Sequence, residues 1–344
     1  MQRTMDLQAL NAVANQMVEP GKGILAADES TGTIQKRFDA IGVENTEKNR
    51  RDYRELLFRA GEGMKHVSGV ILFRETLYQD AADGTPLVEL ITRAGAVPGI
   101  KCDAGAKPMA LFPGETLTEG LDGLGDQLAK DRERGARFAK WRATLFIGGG
   151  KPSWGAVKAN AMLLARYAAI CQEVGLVPIV EPEVLMDGDH TVEACEAATR
   201  LVLHAVFAEL FEQRVALEGI VLKPNMVVSG QDCPTQASVE EVARRTVATL
   251  KACAPAAVPG IAFLSGGQSD EAATAHLNAM NRLGPLPWKL TFSYGRALQH
   301  APQTVWAGRP ENTAAAQRAF AHRARMNSLA TFGRWDEAQE KAAA

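Results

Sequence analysis

Eight short apolar runs alternate along the chain with longer segments of helical periodicity, and this alternation restricts the fold more than any other feature. The runs are Gly23–Ala27, Val67–Phe73, Gly99–Cys102, Ala143–Ile147, Leu176–Val180, Gly219–Leu222, Gly260–Leu264 and Leu290–Tyr294. Each has the length of a buried strand, and several are rich in Ile and Val. Four start with Gly-Ile (Gly23, Gly99, Gly219, Gly260), a structural echo without a fixed period. The segments 47–66, 156–174, 192–217 and 238–253 carry helical patterns, the last preceded by capping chemistry in Thr235, Ser238 and Glu241. Such alternation implies parallel strands joined by right-handed crossovers. About eight units imply an α/β fold of one closed (β/α)8 TIM barrel. A doubly wound dinucleotide-binding sheet is disfavoured, because no G-x-G-x-x-G follows the first run. A length of 344 residues fits two average domains, but α/β barrels of about 250 residues form one. No linker divides the chain. The expectation is one domain over 1–344, with an extra N-terminal helix in 1–20 and a polar tail, 331–344, that covers the barrel or frays.

Composition narrows the function. The 38 basic and 40 acidic residues nearly balance, and no basic stripe suggests a nucleic-acid partner. The five cysteines are odd in number and none forms a C-x-x-C pair, which fits a reducing compartment. The segment 1–17 has the pattern of an amphipathic helix and not of a signal peptide. No run of about 18 apolar residues marks a membrane span. The expectation is a cytoplasmic protein without a membrane partner.

Charges fall where a barrel core would exclude them, since desolvating an ion costs several kcal/mol. Asp28, Lys101 with Asp103, Lys140 with Arg142, Glu181 with Glu183, Lys223 and Arg296 lie in or at the ends of the apolar runs. Active sites of such barrels sit at the C-terminal ends of the strands, where most of these residues fall. Lys140 precedes its apolar run, so the fourth strand must start earlier, near Phe138. Period-2 geometry puts Lys140 with Arg142, Glu181 with Glu183 and Ile179, and Lys223 with Val221 on shared faces. With those faces turned inward, lysines and carboxylates meet in one cavity. Lys101 and Lys140 would then depress the pKa of Lys223 and make it a nucleophilic amine. Attack on a ketone would give an iminium, an electron sink for carbon–carbon cleavage. The paired carboxylates Glu181 and Glu183 would not both ionise freely, leaving one protonated near neutral pH.

Two segments carry phosphate-binding chemistry. Ser265-Gly266-Gly267-Gln268 follows the seventh run and Ser293-Tyr294-Gly295-Arg296 ends the eighth. Glycine backbones can cradle an oxyanion, barrels hold phosphates after strands seven and eight, and arginine adds a bidentate contact. Ser30, Thr33, Lys36 and Arg37 after the first run are either a capped helix with a solvated basic face or a second anion site. Two such sites would imply a bisphosphate.

GKGILAADESTGTIQKRF (21–38), ILFRETLYQ (71–79), GIKCD (99–103), FAKWR (138–142), VPIVEPEVL (177–185), LKPNMV (222–227), FLSGGQS (263–269) and LTFSYGRALQ (290–299) together resemble class I fructose-bisphosphate aldolases. The resemblance runs from about Asp6 to Phe332. It implies a metal-free, cofactor-free lyase acting on a sugar phosphate in glycolysis and gluconeogenesis, typically as a homotetramer. It further implies that Lys223 is the Schiff-base lysine, Glu181 the acid/base of imine formation, and Asp28 the base that takes the C4-hydroxyl proton. Lys140 would polarise intermediates, and Lys101 and Glu183 would complete the charge network. Ser265, Gly266, Gly267, Ser293, Gly295 and Arg296 would bind one phosphate, with Ser30, Thr33, Lys36, Arg37 and Arg142 also at the substrate. Many members end in a tyrosine that exchanges the enamine proton, whereas the last tyrosine here is Tyr294. Glu181 or solvent is expected to serve instead, with slower enamine protonation. Thr33 stands where some members have serine, and Ala104 where some have lysine.

Three rival readings make distinct demands. A metal-dependent aldolase needs clustered histidines, but His66, His190, His204, His276, His300 and His322 are scattered. A Schiff-base lyase for another sugar phosphate would differ at the second anion site. An inactive scaffold would have lost site residues.

Overall fold

The computed structural model describes residues 5–341. Its centre is a closed barrel of eight parallel strands. These are β1 (Gly23–Ala27), β2 (Val67–Leu72), β3 (Val97–Lys101), β4 (Phe138–Leu145), β5 (Val177–Val184), β6 (Val221–Leu222), β7 (Gly260–Phe263) and β8 (Lys289–Tyr294). Neighbours in sequence are neighbours in the barrel, and β1 closes it against β8 through Ile24 opposite Ser293. A two-stranded antiparallel ribbon, Ala106–Pro108 with Thr116–Thr118, is inserted after β3.

Helices of seven residues or more are α1 (Leu7–Met17), α2 (Thr31–Asp39), α3 (Glu47–Phe58), α4 (Leu87–Arg93), α5 (Leu124–Glu133), α6 (Trp154–Glu173), α7 (Val192–Glu212), α8 (Val239–Cys253), α9 (Asp270–Asn281), α10 (Arg296–Trp306) and α11 (Thr313–Thr331). Several start on a hydroxyl cap: Ser153, Thr191, Ser238 and Ser269 each accept a backbone N–H three residues on. Ser238 alone caps α8; the Glu241 side chain turns instead to Arg245. The segment 47–66 breaks at Arg59–Ala60, and α7 stops at Glu212 before a 3-10 turn at Leu217–Gly219. The N-terminal helix starts at Leu7, with Asp6 as its cap. The expected segment before Met5 lies outside the described residues.

The barrel interior is divided by height. Its lower half is apolar, built from Ile24, Ile71, Val97, Phe138, Val177, Ile179 and Val221. Leu10, Ala14 and Met17 of α1 join that cluster and stop the N-terminal end of the barrel. Phe138 fits because β2 and β3 offer glycine opposite it. A Cβ on Gly99 would lie 2.2 Å from its ring, and one on Gly69 would lie 3.2 Å away. The Gly-Ile echo is therefore not one recurring position. Gly99 sits mid-strand under Phe138, Gly23 leaves room for Phe292, and Gly219 precedes β6.

β4 begins at Phe138, as the placement of Lys140 demanded. Its register sets Arg142 beside Glu181 and Thr144 beside Glu183 on β5, while Lys101 of β3 pairs with Lys140. Alternation then places Lys140, Arg142, Glu181 and Glu183 inward, above the apolar floor. Past Thr331 the tail folds back. Glu340, in the short helix Glu337–Lys341, accepts hydrogen bonds from Arg323 at 2.6 Å and Trp335 Nε1 at 2.9 Å.

Candidate active site

The upper half of the barrel opens into a cavity of about 780 Å³ at the C-terminal ends of the strands. Sixteen of the seventeen residues expected at the site line it: Asp28, Ser30, Thr33, Arg37, Lys101, Lys140, Arg142, Glu181, Glu183, Lys223, Ser265, Gly266, Gly267, Ser293, Gly295 and Arg296. Lys36 does not. It is exposed on α2, about 100° around the helix from its neighbour Arg37.

At the centre, Glu181 bridges two lysines: its Oε1 is 3.1 Å from Lys223 Nζ, and its Oε2 is 3.1 Å from Lys140 Nζ. Lys140 also donates to Asp28 Oδ2 at 3.0 Å. Asp28, Lys140, Glu181 and Lys223 are all largely withdrawn from solvent. Burial pushes the Lys223 pKa down; Glu181 pulls it back up, while Lys140 lowers it further. The net shift favours the neutral amine. Lys101 was expected to share in this effect, but it is turned toward Asp103 instead, at 2.6 Å. Burial also lowers Lys140, yet Asp28, Glu181 and Asp103 outweigh it and hold the ammonium charged. Asp28 would be raised by burial, but Lys140, Lys223 and Lys101 bring it down to about 2.

The carboxylates do not form the expected proton-sharing pair. Each has its own cation. Burial raises Glu181, but Lys140, Lys223 and Arg142 reverse the shift and keep it ionised. Glu183 is bound to Arg142 Nε. Strand alternation brings both carboxylates to one face, and the neighbouring strands supply the opposing charges.

On the β7–β8 side, Ser265, Gly266, Gly267, Ser293 and Arg296 surround one end of the cavity. Ser293 lines the cavity, and its Oγ is buried without a hydrogen-bond partner. Arg296 donates to the main-chain oxygen of Gln268. Gly267 has a φ of +68°, and Met186 and Gln231 would crowd any side chain there. Lys101 and Arg142, on β3 and β4, lie on the opposite arc of the barrel.

Several residues of the site and its support escaped the sequence reading. Glu29 lines the cavity and is nearly buried. Arg54 and Gln299 pack behind it. His276 braces Gln268 Oε1 through its Nδ1 at 2.7 Å, and burial lowers its pKa to about 4, so the ring is neutral. Glu29 adjoins Asp28 and was within reach of a sequence argument. The other three sit in helices among ordinary polar residues, with no local signal. Tyr294 is fully buried, its hydroxyl donating to Ala273 O, and takes no part in the cavity.

Comparison with known proteins agrees with this geometry. The family model described as Fructose-bisphosphate aldolase class-I matches residues 9–344. A probable fructose-bisphosphate aldolase class 1 from Xanthomonas campestris is 54% identical over 96% of this chain and 99% of its own length. Fructose-bisphosphate aldolase 4, cytosolic, from Arabidopsis thaliana is 56% identical over 91% of this chain and 80% of its own. The fold is similar to that of fructose-bisphosphate aldolase from Plasmodium falciparum, solved with TRAP and a small-molecule inhibitor. That similarity has a TM-score of 0.94, 49% identity, and 96% coverage of both chains. An eight-stranded barrel, a buried lysine with a depressed pKa and a match over nearly the whole sequence lead to one conclusion: this chain belongs to the class I fructose-bisphosphate aldolase family, metal-independent Schiff-base lyases.

Proposed function

We propose that Lys223 forms the Schiff base with fructose 1,6-bisphosphate, and that Glu181, Lys140 and Asp28 carry the protons of its cleavage. The observation that carries this reading is the Glu181 carboxylate 3.1 Å from Lys223 Nζ. Transfer of one ammonium proton to Glu181 leaves a neutral amine beside a carboxylic acid. The amine adds to the C2 ketone, and Glu181 returns its proton to the departing hydroxyl as water leaves. The product is an iminium on Lys223. Asp28, ionised beside Lys140, takes the C4-hydroxyl proton. The C3–C4 bond then breaks, its electron pair flows to the iminium, and glyceraldehyde 3-phosphate departs. Solvent, directly or by reprotonating Glu181, supplies the proton that the enamine takes at C3. Asp28 returns its proton to solvent, and hydrolysis of the iminium releases dihydroxyacetone phosphate. The Lys140 ammonium stabilises the oxygen charge that develops along this path.

The two arcs of the cavity suit two phosphates. Ser265, Gly266, Gly267, Ser293, Gly295 and Arg296 take one, and Lys101 and Arg142 lie toward the other, with Ser30, Thr33 and Arg37 also at the substrate. Lys36 is not assigned a contact. The chain works as one barrel domain and as a cytosolic homotetramer; relatives named as cytosolic support that location. Light scattering is expected to give four times the 36.9 kDa chain mass; a monomer mass would reject the assembly.

The test is borohydride reduction in the presence of dihydroxyacetone phosphate, followed by peptide mass mapping. A single adduct is expected on Lys223, with none in Lys223→Met. An adduct on Lys140 or Lys101 would overturn the assignment.

A further inference from the structure

Glu29 follows the proposed base Asp28 and lines the same cavity, yet nothing in the reaction above uses it. A nearly buried carboxylate needs a partner or it becomes protonated. Glu29 Oε1 accepts from Arg37 Nη1 at 2.5 Å and from Gln299 Nε2 at 2.7 Å. Its Oε2 faces Arg54 Nη2 at 3.8 Å, and Arg54 donates to the Glu29 main-chain oxygen at 3.0 Å. With its oxygens turned to these groups, Glu29 is poorly placed to move a substrate proton.

We infer that Glu29 is a positioning residue: it holds the Arg37 guanidinium against Gly295, at the edge of the cavity where Arg296 begins α10. Three observations converge on this. Arg37 Nη2 lies 3.6 Å from where a Cβ on Gly295 would stand, so the guanidinium rests on a bare backbone. Gln299, one turn beyond Arg296, donates both to Glu29 and to Ala26 O at 2.6 Å. One carboxylate thus connects the end of β1, the last turn of α2 and the first turns of α10, which carry Asp28, Arg37 and Arg296. Arg54 is almost inaccessible; its Nη2 faces Glu29 Oε2 and its Nη1 faces Glu75 Oε2 at 3.6 Å, so a buried guanidinium backs the Glu29 carboxyl from the side away from Arg37. Arginine is long and flexible, and holding it in advance lowers the entropy lost when an anion binds.

The inference rests on the reading of Arg37 as a substrate contact, and the experiment separates the two. Steady-state cleavage of fructose 1,6-bisphosphate is measured for Arg37→Ala, Glu29→Gln, Glu29→Asp and the double variant Glu29→Gln/Arg37→Ala, with thermal unfolding of each. Arg37→Ala and Glu29→Gln are each expected to raise KM about tenfold, the effect of one charge-assisted hydrogen bond, while kcat changes less than about threefold. The double variant is expected to match Arg37→Ala alone. Glu29→Asp keeps the charge beside Arg54 but withdraws the carboxylate from Arg37, so it is expected to raise KM while melting nearer the wild type. It decides the matter if Glu29→Gln does not fold. A raised KM in Arg37→Ala with wild-type KM in the folded Glu29 variants would overturn the inference and leave the site intact. So would effects that multiply in the double variant. Wild-type KM in Arg37→Ala would remove Arg37 from the substrate, and the inference with it.

Discussion

Lys140 has two opposite effects at the centre of the site. Its charge disfavours an ammonium on Lys223, and the same charge favours carboxylates on Asp28 and Glu181. One cation therefore helps to prepare the nucleophile and to keep the base ionised. The Asp28 part can be read from stability. Its carboxyl is held at about 2 in the fold, below roughly 3.9 in an unfolded chain. Above the unfolded value the ionised group stabilises the fold, by about 2–3 kcal/mol. That contribution fades as pH falls from about 4 through 2, where the unfolded chain gains its proton first. Asp28→Asn is thus expected to be less stable than the parent in urea at pH 7, with the gap narrowing as pH approaches 2. A gap independent of pH would mean that the ion pair with Lys140 does not set the shift.

Strands and helices divide the work at the next scale. Strand alternation sorts side chains between cavity and outer layer, while the following helices and loops supply Arg37 and the glycine-rich anion loop. The barrel floor depends on small residues facing a large one. Gly99→Ala would drive a methyl into the Phe138 ring, since a separation of 2.2 Å is far inside contact distance. The expected loss is about 1–3 kcal/mol in chemical denaturation. Phe138→Leu should recover much of it in the double variant. Additive losses would show that the two positions do not share that space.

For the molecule as a whole, α1 is a structural stopper that takes no part in the chemistry above. Leu10 and Met17 pack beneath the inward residues of the strands, at the end opposite the cavity. Met17 is fully buried, so Met17→Ala is expected to cost about 2–5 kcal/mol. It should lower the melting temperature in one cooperative transition, with KM unchanged. A separate early transition would show α1 melting apart from the barrel. Much of this was legible in the chain. The alternation of runs gave the barrel, and Lys140 lying ahead of its apolar run gave the true start of β4. Sixteen expected site residues were brought to one cavity, while Lys36, one step around the helix from Arg37, stayed exposed, a difference that a set of motif residues does not resolve.

Periodicity and residue type are local properties, and they were enough to determine the barrel, the inward faces of β4 and β5, and the presence of a buried lysine among charges. Pairing between charges is not local. Whether Glu181 shares a proton with Glu183 or bridges Lys140 and Lys223 depends on which strands become neighbours and in what register. The same holds for Lys101, claimed by Asp103, and for Glu29, fixed by Arg54 and Gln299 from distant helices. Coulomb energies and desolvation depend on distance and burial in space, so only the closed barrel decided which groups are charged and which side chains they hold.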